Sequence, residues 1–374
     1  MIGLYFLFNL FPVQKNKILF YNMSKRYGCN PKYISEELLR EKKPYELVWF
    51  TSKKSDGFPD SVRTIYTRLQ LCYALATSSV IISNCRIGKF FAKGIKRRKN
   101  QIYIQTWHGF PLKRIENDGV NLSKKYLHNA KIDSKNITHL LSNSKWLTNT
   151  YRSCFFYDGK IIETGSPRND IFFHQTQDIG TKVKKSLNIP QENKIILYAP
   201  TFRDDHDLSC YSLQYQKIYD ALTEKFNTKF SFLIRMHPNL QKIEQLVPAE
   251  PFVVNASSYP DIQELLASTD ILITDYSSVM FDFMLSKRPA FIFATDTEKY
   301  QAERGFYFSM EELPFPLAFS NKQLLDNIKK FDNITYQDAL DTFIKKFQII
   351  ENGTASKQCA DIINAHIQFI KGKK

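Results

Sequence analysis

His108 stands where a strand-like run stops: Ile102-Tyr103-Ile104-Gln105 gives way to Thr106-Trp107-His108-Gly109. An imidazole that opens the loop after a strand is held by the scaffold yet can reach solvent, as a general base must. A satisfied structural histidine has the same local signature, so the position gains meaning only from repetition. Three more strand-like runs end in polar clusters: 194–199 leads into Thr201-Phe202-Arg203, 231–236 into His237-Pro238, and 271–274 into Asp275-Tyr276-Ser277-Ser278. Ligands of open α/β sheets bind outside the carboxyl ends of the strands, and these groups suit a phosphorylated one.

Each cluster admits a chemical and a structural reading. Thr274 and Asp275 end a strand, and Ser277 and Ser278 then open a helical stretch, where free N–H groups and the positive dipole end attract anions. The alternative is an ordinary serine N-cap. Asp282, one turn on, suits a ribose hydroxyl or is an exposed helix carboxylate. Arg203 offers a guanidinium fork that matches phosphate, or it pairs internally with Asp204, Asp205 or Asp207. Pro238 biases His237 toward an extended backbone; its ring then donates to a phosphate oxygen, protonates a leaving phosphate, or is simply buried. In Gly165-Ser166-Pro167-Arg168-Asn169-Asp170, Arg168 either faces a ligand cleft or belongs to a turn braced by Asp170. Trp107 and Lys113, flanking His108, are further cleft candidates. Neither G-x-G-x-x-G after a strand nor G-x-x-x-x-G-K-[ST] occurs, which argues against dinucleotide oxidoreductases and P-loop NTPases.

The elements that must carry these groups alternate along the chain. Apolar runs at 17–22, 46–51, 79–84, 102–106, 138–143 and 160–165 form one set. Those at 194–199, 231–236, 252–255, 271–274 and 290–294 form another. Runs apolar on both faces belong to parallel sheets covered by helices, and helical stretches between them make βαβ units. Asn30-Pro31 reads as an N-cap followed by proline at the first helical position. The polar stretch at 175–192 marks a junction, giving an N-terminal domain over 1–180 and a C-terminal one over 190–335, with a cleft between them. Leu340, Phe343, Ile344, Phe347 and Ile350, then Cys359, Ile362, Ile363, Ile367 and Ile370, form two apolar helical stripes broken at Asn352-Gly353. Residues 336–374 are therefore helices that pack back on the domains, with His366 structural.

The 374-residue chain carries a net charge of +15. Residues 1–185 hold 32 Lys and Arg against 13 Asp and Glu, and the remainder 20 against 24, so the whole excess lies in the first half. That asymmetry points to an anionic partner (nucleic acid, lipid headgroups or a phosphorylated acceptor) or to a solvated basic face. No nucleic-acid-binding motif accompanies it. Six scattered cysteines with no paired spacing fit free thiols in a reducing compartment, and no metal-ligand pattern occurs. The N-terminal MIGLYFLFNLFPV is too short to span a bilayer and lacks the marks of a signal peptide, leaving an interfacial anchor or a core helix.

The ordered set Thr106-Trp107-His108-Gly109 with Pro111-Leu112-Lys113, Gly165-x-Pro167-Arg168-x-Asp170, Tyr198-Ala199-Pro200-Thr201-x-Arg203, Arg235-x-His237-Pro238 and Thr274-Asp275-Tyr276-Ser277-Ser278 with Phe281-Asp282 and Arg288-Pro289 resembles the CDP-glycerol glycerophosphotransferase family. Asp296, Tyr300, Arg304-Gly305 and Gly353-x-Ala355-Ser356 extend the match. The resemblance implies a GT-B-like fold of two Rossmann-like αβα domains, the second binding the nucleotide. It implies transfer of glycerol phosphate from CDP-glycerol to a hydroxyl of a lipid-linked glycan or polyol-phosphate acceptor, with release of CMP, in teichoic acid or capsule-type polymer synthesis. The reaction would run at the cytoplasmic face of the membrane, with no cofactor and no bound metal. His108 would deprotonate the acceptor, and His237 and Arg203 would offset pyrophosphate charge. Ser277 and Ser278 would bind that pyrophosphate, and Asp282 the ribose. A CDP-ribitol donor or a nucleotide-sugar glycosyltransferase are the alternatives. The family's polymerases often carry a long N-terminal extension not seen in this sequence, which favours a primase or short transferase.

Overall fold

Each apolar run named above forms a parallel strand; the central ones are buried on both faces, as strands covered by helices are, while the edge strands Lys160–Glu163 and Val253–Asn255 stay partly exposed. The computed structural model describes residues 6–52, 57–174, 177–203, 207–236, 240 and 246–372. One sheet contains β1 (Gln14–Tyr21), β2 (Glu46–Phe50), β3 (Arg63–Ile65), β4 (Ser78–Ser83), β5 (Ile102–Gln105), β6 (His139–Ser142) and β7 (Lys160–Glu163), ordered β3-β2-β1-β4-β5-β6-β7. The other contains β8 (Lys194–Tyr198), β9 (Phe230–Ile234), β10 (Val253–Asn255), β11 (Ile271–Thr274), β12 (Ala290–Phe293) and β13 (Leu317–Ala318), ordered β10-β9-β8-β11-β12-β13. Both follow the doubly wound order, with the direction of winding reversing between β1 and β4 and between β8 and β11. The sequence pattern misses only β3 and β13, two of the four edge strands, three and two residues long.

Contacts divide the chain into two units. The first comprises Met1–His108, Ile115–Asp170 and Gln348–Lys374; the second comprises Gly109–Arg114 and Ile171–Phe347. Neighbouring residues of the first sheet fill opposite sides of it, as strand alternation requires. Leu19, Val48, Ile81 and Tyr103 pack on one face. Ile18, Phe20, Trp49 and Ile82 pack on the other, against Ile363 and Ile367 of the C-terminal helix Ala355–Gly372. In the second unit Phe110 anchors the short segment 109–114 among Phe281, Phe308, Phe343 and Phe347.

The boundary differs from the one read in the sequence. The first unit's middle segment ends at Asp170, and the Asn352-Gly353 break separates the tail helices. Helix Asn333–Phe347 belongs to the second unit and Ala355–Gly372 to the first. Asp170 explains the capture of the last helix: its carboxylate accepts the Ala355 and Ser356 N–H groups at 3.0 and 2.7 Å, satisfying two orphan donors. The expected cap at Asn30 is corrected too. Helix Cys29–Arg40 begins after Gly28 without a side-chain cap, and the Asn30 carboxamide is used elsewhere. Among the described residues no helix is long and apolar enough to cross a membrane.

Candidate functional site

In the first unit the candidate groups gather where β1, β4 and β5 end, beside the reversal of strand order. Asn84 follows β4, and its backbone carbonyl lies 2.8 Å from His108 Nδ1. A carbonyl only accepts, so Nδ1 carries the proton and the lone pair of the neutral ring resides on Nε2. Asn84 is itself held: its amide donates to Asn22 Oδ1 at 2.8 Å, and its own Oδ1 accepts the Met23 N–H at 2.9 Å. Asn22 in turn donates to the carbonyls of Arg26 and Gly28. The base candidate thus rests on buried amides at the ends of the two central strands.

Trp107 is buried and adopts a left-handed backbone with φ of 51°. Its indole packs edge-on against Phe155 at 4.9 Å and lies 4.2 Å from the His108 ring. It is a wall of the core more than an exposed platform. Arg168 is also buried, and its backbone N–H donates to Asn30 Oδ1 at 3.0 Å. The Asp170 carboxylate of the same turn caps the C-terminal helix.

Behind Trp107 lies a buried charge network that the sequence reading missed. The Arg86 guanidinium stacks on Phe155 and pairs with Glu116 at 2.8 Å and Asp133 at 3.2 Å. Burial pushes the Asp133 carboxyl up to about 6 against the pull of Arg86. Tyr103, beneath the loop, reaches Asp133 at 3.4 Å.

In the second unit the ends of β8, β11 and β12 converge. Arg203 pairs bidentately with Asp296, Nε to Oδ2 at 2.7 Å and Nη2 to Oδ1 at 2.9 Å. Its Nη1 lies 2.9 Å from Asp275 and donates to the Thr201 carbonyl at 2.6 Å. The guanidinium also stacks near Tyr276 and Tyr300. An internal salt bridge was one of the two readings of Arg203, but its partners are Asp275 and Asp296. Asp204 and Asp205 lie outside the described residues, and Asp207 is 3.5 Å from Lys299. Burial works against the charge on Arg203; the Asp296 hydrogen bonds and nearby Asp275 outweigh it and raise its pKa. Burial likewise raises Asp296, but Arg203 holds its carboxyl below the ordinary value.

Asp275 organises the strand ends. One oxygen accepts the Thr201 N–H (2.8 Å), the Thr201 hydroxyl (2.6 Å) and the Tyr276 N–H (2.6 Å). Thr274 is fully buried, its hydroxyl donating to the Ala199 carbonyl at 2.7 Å, so it joins β11 to β8 and presents nothing to a ligand. Asp282 is no exposed carboxylate: it is buried and accepts from the Gln263 amide at 3.0 Å. Ser277 and Ser278 are half-buried, and Ser278 occupies the N-cap position without capping. Their hydroxyls are therefore not consumed by the role sequence alone would assign. Lys113 reaches the Tyr300 hydroxyl at 3.3 Å and so joins this cluster in the second unit. His237 lies outside the described residues.

The sequence reading noted Asp296 only as part of the resemblance. It follows β12, so the same strand-end signal that marked Arg203 could have found it. Asn84 and Gln105 also stand at strand ends, but a neutral carboxamide there does not point to chemistry, and Asn30 reads only as a helix cap. Among the described residues no group of three His, Cys, Asp or Glu side chains is arranged to hold a metal ion.

Residues 4–365 match the family described as CDP-glycerol:poly(glycerophosphate) glycerophosphotransferase. The chain is 34% identical over 361 residues to the teichoic acid poly(glycerol phosphate) polymerase of Staphylococcus epidermidis, covering 92% of this chain and 50% of that protein. It thus spans about half the length of that relative. It is also 34% identical over 382 residues to the teichoic acid glycerol-phosphate transferase of Staphylococcus aureus, covering 96% of each. A solved structure of the wall teichoic acid polymerase TagF superposes with a TM-score of 0.85 at 33% identity, covering 99% of this chain and 94% of that one. Together with the two doubly wound parallel sheets, this gives a GT-B-like fold.

Proposed function

The chain belongs to the CDP-glycerol:poly(glycerophosphate) glycerophosphotransferase family, and from that membership we propose that it transfers glycerol phosphate from CDP-glycerol to an acceptor hydroxyl in teichoic acid or capsule-type polymer synthesis. The observation that carries the catalytic assignment is the His108–Asn84 hydrogen bond, which leaves Nε2 as the basic nitrogen. In the reaction, Nε2 takes the proton of the acceptor hydroxyl as its oxygen attacks the phosphorus bearing glycerol. A new P–O bond forms, the bond from that phosphorus to the bridging oxygen breaks, and CMP departs with the electron pair. Positioned proton abstraction of this kind contributes roughly 100- to 10,000-fold. Ser277 and Ser278 bind the pyrophosphate through hydroxyls that cap no helix, and His237 offsets charge on the leaving CMP. Arg203 supports these donor-side groups of the second unit by fixing Asp275 and Asp296.

The acceptor is a membrane-borne anionic glycan or polyol phosphate, met by the first unit. Residues 61–115 contain eleven Lys and Arg and no Asp or Glu. Against them lies the N-terminal segment, with the Asn9 amide donating to the Gly94 carbonyl. There Phe6, Leu7, Leu10 and Phe11 expose 52, 51, 79 and 46% of their surface. Apolar side chains beside a basic surface suit the interface of an anionic bilayer.

The test is CMP release from CDP-glycerol, CDP-ribitol and a UDP-sugar, each with a polyol-phosphate acceptor on anionic vesicles. CMP release with CDP-glycerol, abolished in His108→Ala while CDP-glycerol binding stays within a few-fold of wild type, is the expected result. Release only from the UDP-sugar refutes the transferase reading. Loss of nucleotide binding in His108→Ala would make His108 a donor contact instead of the base.

A further inference from the structure

Trp107, a bulky aromatic residue, is held at φ 51° in the left-handed region directly before the base, and Gly109 follows at φ 137°. Side chains of this size rarely adopt that backbone, and where they do the surroundings must impose it. Two fully buried carboxamides, Asn30 and Gln105, supply that constraint. Gln105 Oε1 accepts the Trp107 N–H at 3.0 Å, and its Nε2 donates to the Cys85 carbonyl at 3.0 Å and to the Tyr103 hydroxyl at 3.0 Å. Asn30 Nδ2 donates to the Trp107 carbonyl at 3.0 Å, where the Thr106 hydroxyl also donates at 2.9 Å. The Asn30 Oδ1 accepts the Arg168 N–H at 3.0 Å.

The placement of these bonds gives them a purpose. The Trp107 carbonyl belongs to the peptide unit that leads into His108, so its orientation aims the imidazole. Cys85 is the residue after Asn84, whose carbonyl fixes the imidazole tautomer. Gln105 therefore ties the loop carrying the base to the loop carrying its hydrogen-bond acceptor, and Asn30 ties the same loop to the Arg168 turn. Each residue must donate and accept at once, which a carboxamide does and neither a carboxylate nor an apolar side chain can.

Resting on the assignment of His108 as the base, we infer that Asn30 and Gln105 are positioning residues for it: they hold the Trp107 peptide so that Nδ1 stays on the Asn84 carbonyl and Nε2 stays the proton acceptor. Loosening either one lets the ring rotate and its tautomers mix, while the second unit keeps its own contacts. A misplacement of about 1 Å at a reacting group costs on the order of 100-fold in rate.

The experiment compares Asn30→Asp, isosteric but unable to donate to the carbonyl, and Gln105→Met with wild type and His108→Ala. Readouts are kcat, KM for CDP-glycerol, the pH profile of kcat, and ¹⁵N NMR of the His108 ring in the full chain. The expected result is a kcat loss of about 10- to 100-fold with KM within a few-fold. A displaced pH profile and a ring spectrum moved from the Nδ1–H form toward mixed tautomers should accompany it. Thr106→Val, which removes one bond to the Trp107 carbonyl, gives the same signature in weaker form and serves if the carboxamide variants do not fold. Folded variants with wild-type kcat, or with reduced kcat but an unchanged ring spectrum and pH profile, overturn the inference. If His108→Ala still turns over, the base assignment itself falls; if it is inactive while Asn30→Asp is normal, only the positioning role falls.

Discussion

Arg203 separates two accounts of the second unit: a cation that grips substrate phosphate, or one that holds two carboxylates in place. Its Nε, Nη1 and Nη2 are all engaged by Asp296, Asp275 and the Thr201 carbonyl, which favours the second. Arg203→Met removes the cation and leaves Asp275, 2% exposed, without its charge partner. Breaking a buried pair by deleting one partner costs about 3–5 kcal/mol. The low end applies, because the other Asp275 oxygen keeps three hydrogen bonds from Thr201 and Tyr276. Lost stacking on Tyr276 and Tyr300 adds about 0.5–2 kcal/mol. A loss of about 4 kcal/mol in a unit this size lowers Tm by about 8–16 °C. Arg203→Lys keeps the charge but cannot span both carboxylates, so it should lose about half as much. The double variant Arg203→Met/Asp296→Asn neutralises one orphaned carboxylate and should recover about 1–3 kcal/mol relative to the sum of the single changes. Thermal melts and calorimetric titration with CDP-glycerol read both quantities. The structural account is refuted if Arg203→Met melts within about 2 °C of wild type yet loses nucleotide affinity outright, since Arg203 would then be a phosphate ligand.

Three further outcomes follow from the first unit. Burial, then the cations Lys160, His366 and Arg97, lower the His139 pKa to about 4 from 6.5. The unfolded chain therefore binds more protons between those values, and stability falls as pH drops from about 6.5 to 4. The shift corresponds to about 3 kcal/mol at most and, allowing for partial exposure, to about 1–2 kcal/mol. In His139→Gln, urea unfolding across that range should show a correspondingly flatter acid limb. Asp170→Ala orphans the Ala355 and Ser356 N–H groups and should cost about 1–3 kcal/mol, with amide exchange rising first in helix Ala355–Gly372. Gly165→Ala forces a side chain onto φ 87° and places its Cβ 2.7 Å from a Glu351 oxygen. Glu351 cannot simply swing away, because it accepts from Ser166, Asn143 and Asn169. A loss of about 2–4 kcal/mol is expected in chemical denaturation.

The strands were legible because burial on both faces leaves a local mark: 79–84 and 271–274 are apolar throughout, and only a parallel sheet under helices buries both sides of such a run. Two of the four edge strands escaped because they are too short to carry that mark. β13 has two residues and β3 three, one of them an exposed arginine, so neither carries a pattern. The contact division departs from the compositional boundary because composition marks linkers, whereas membership of a unit is decided by contacts. Residue 170 captures a helix that starts at residue 355, and nothing local to either position announces the pairing.

The strand-end signal singled out His108 in the first unit and Arg203 and Asp275 in the second, but it could not say which way each side chain turns. Thr274 and Ser277 read alike in sequence, yet one hydroxyl is sealed against the Ala199 carbonyl and the other is half-exposed. The difference comes from where β11 ends: Thr274 is its last, fully buried residue, whereas Ser277 lies beyond the strand, just before the next helix. Arg203 shows the same limit for charge. The nearby aspartates in sequence suggested themselves as partners, while the sheet order brings Asp275 and Asp296 to it from two other strand ends. Carboxamides are the least legible of all. Asn30 resembles a helix cap and Gln105 a strand terminus, and only the doubly wound order sets them on either side of the Trp107 peptide. A left-handed tryptophan before a histidine is strain that the fold must hold in place, and the groups that hold it are the ones whose loss should reach the chemistry without touching substrate.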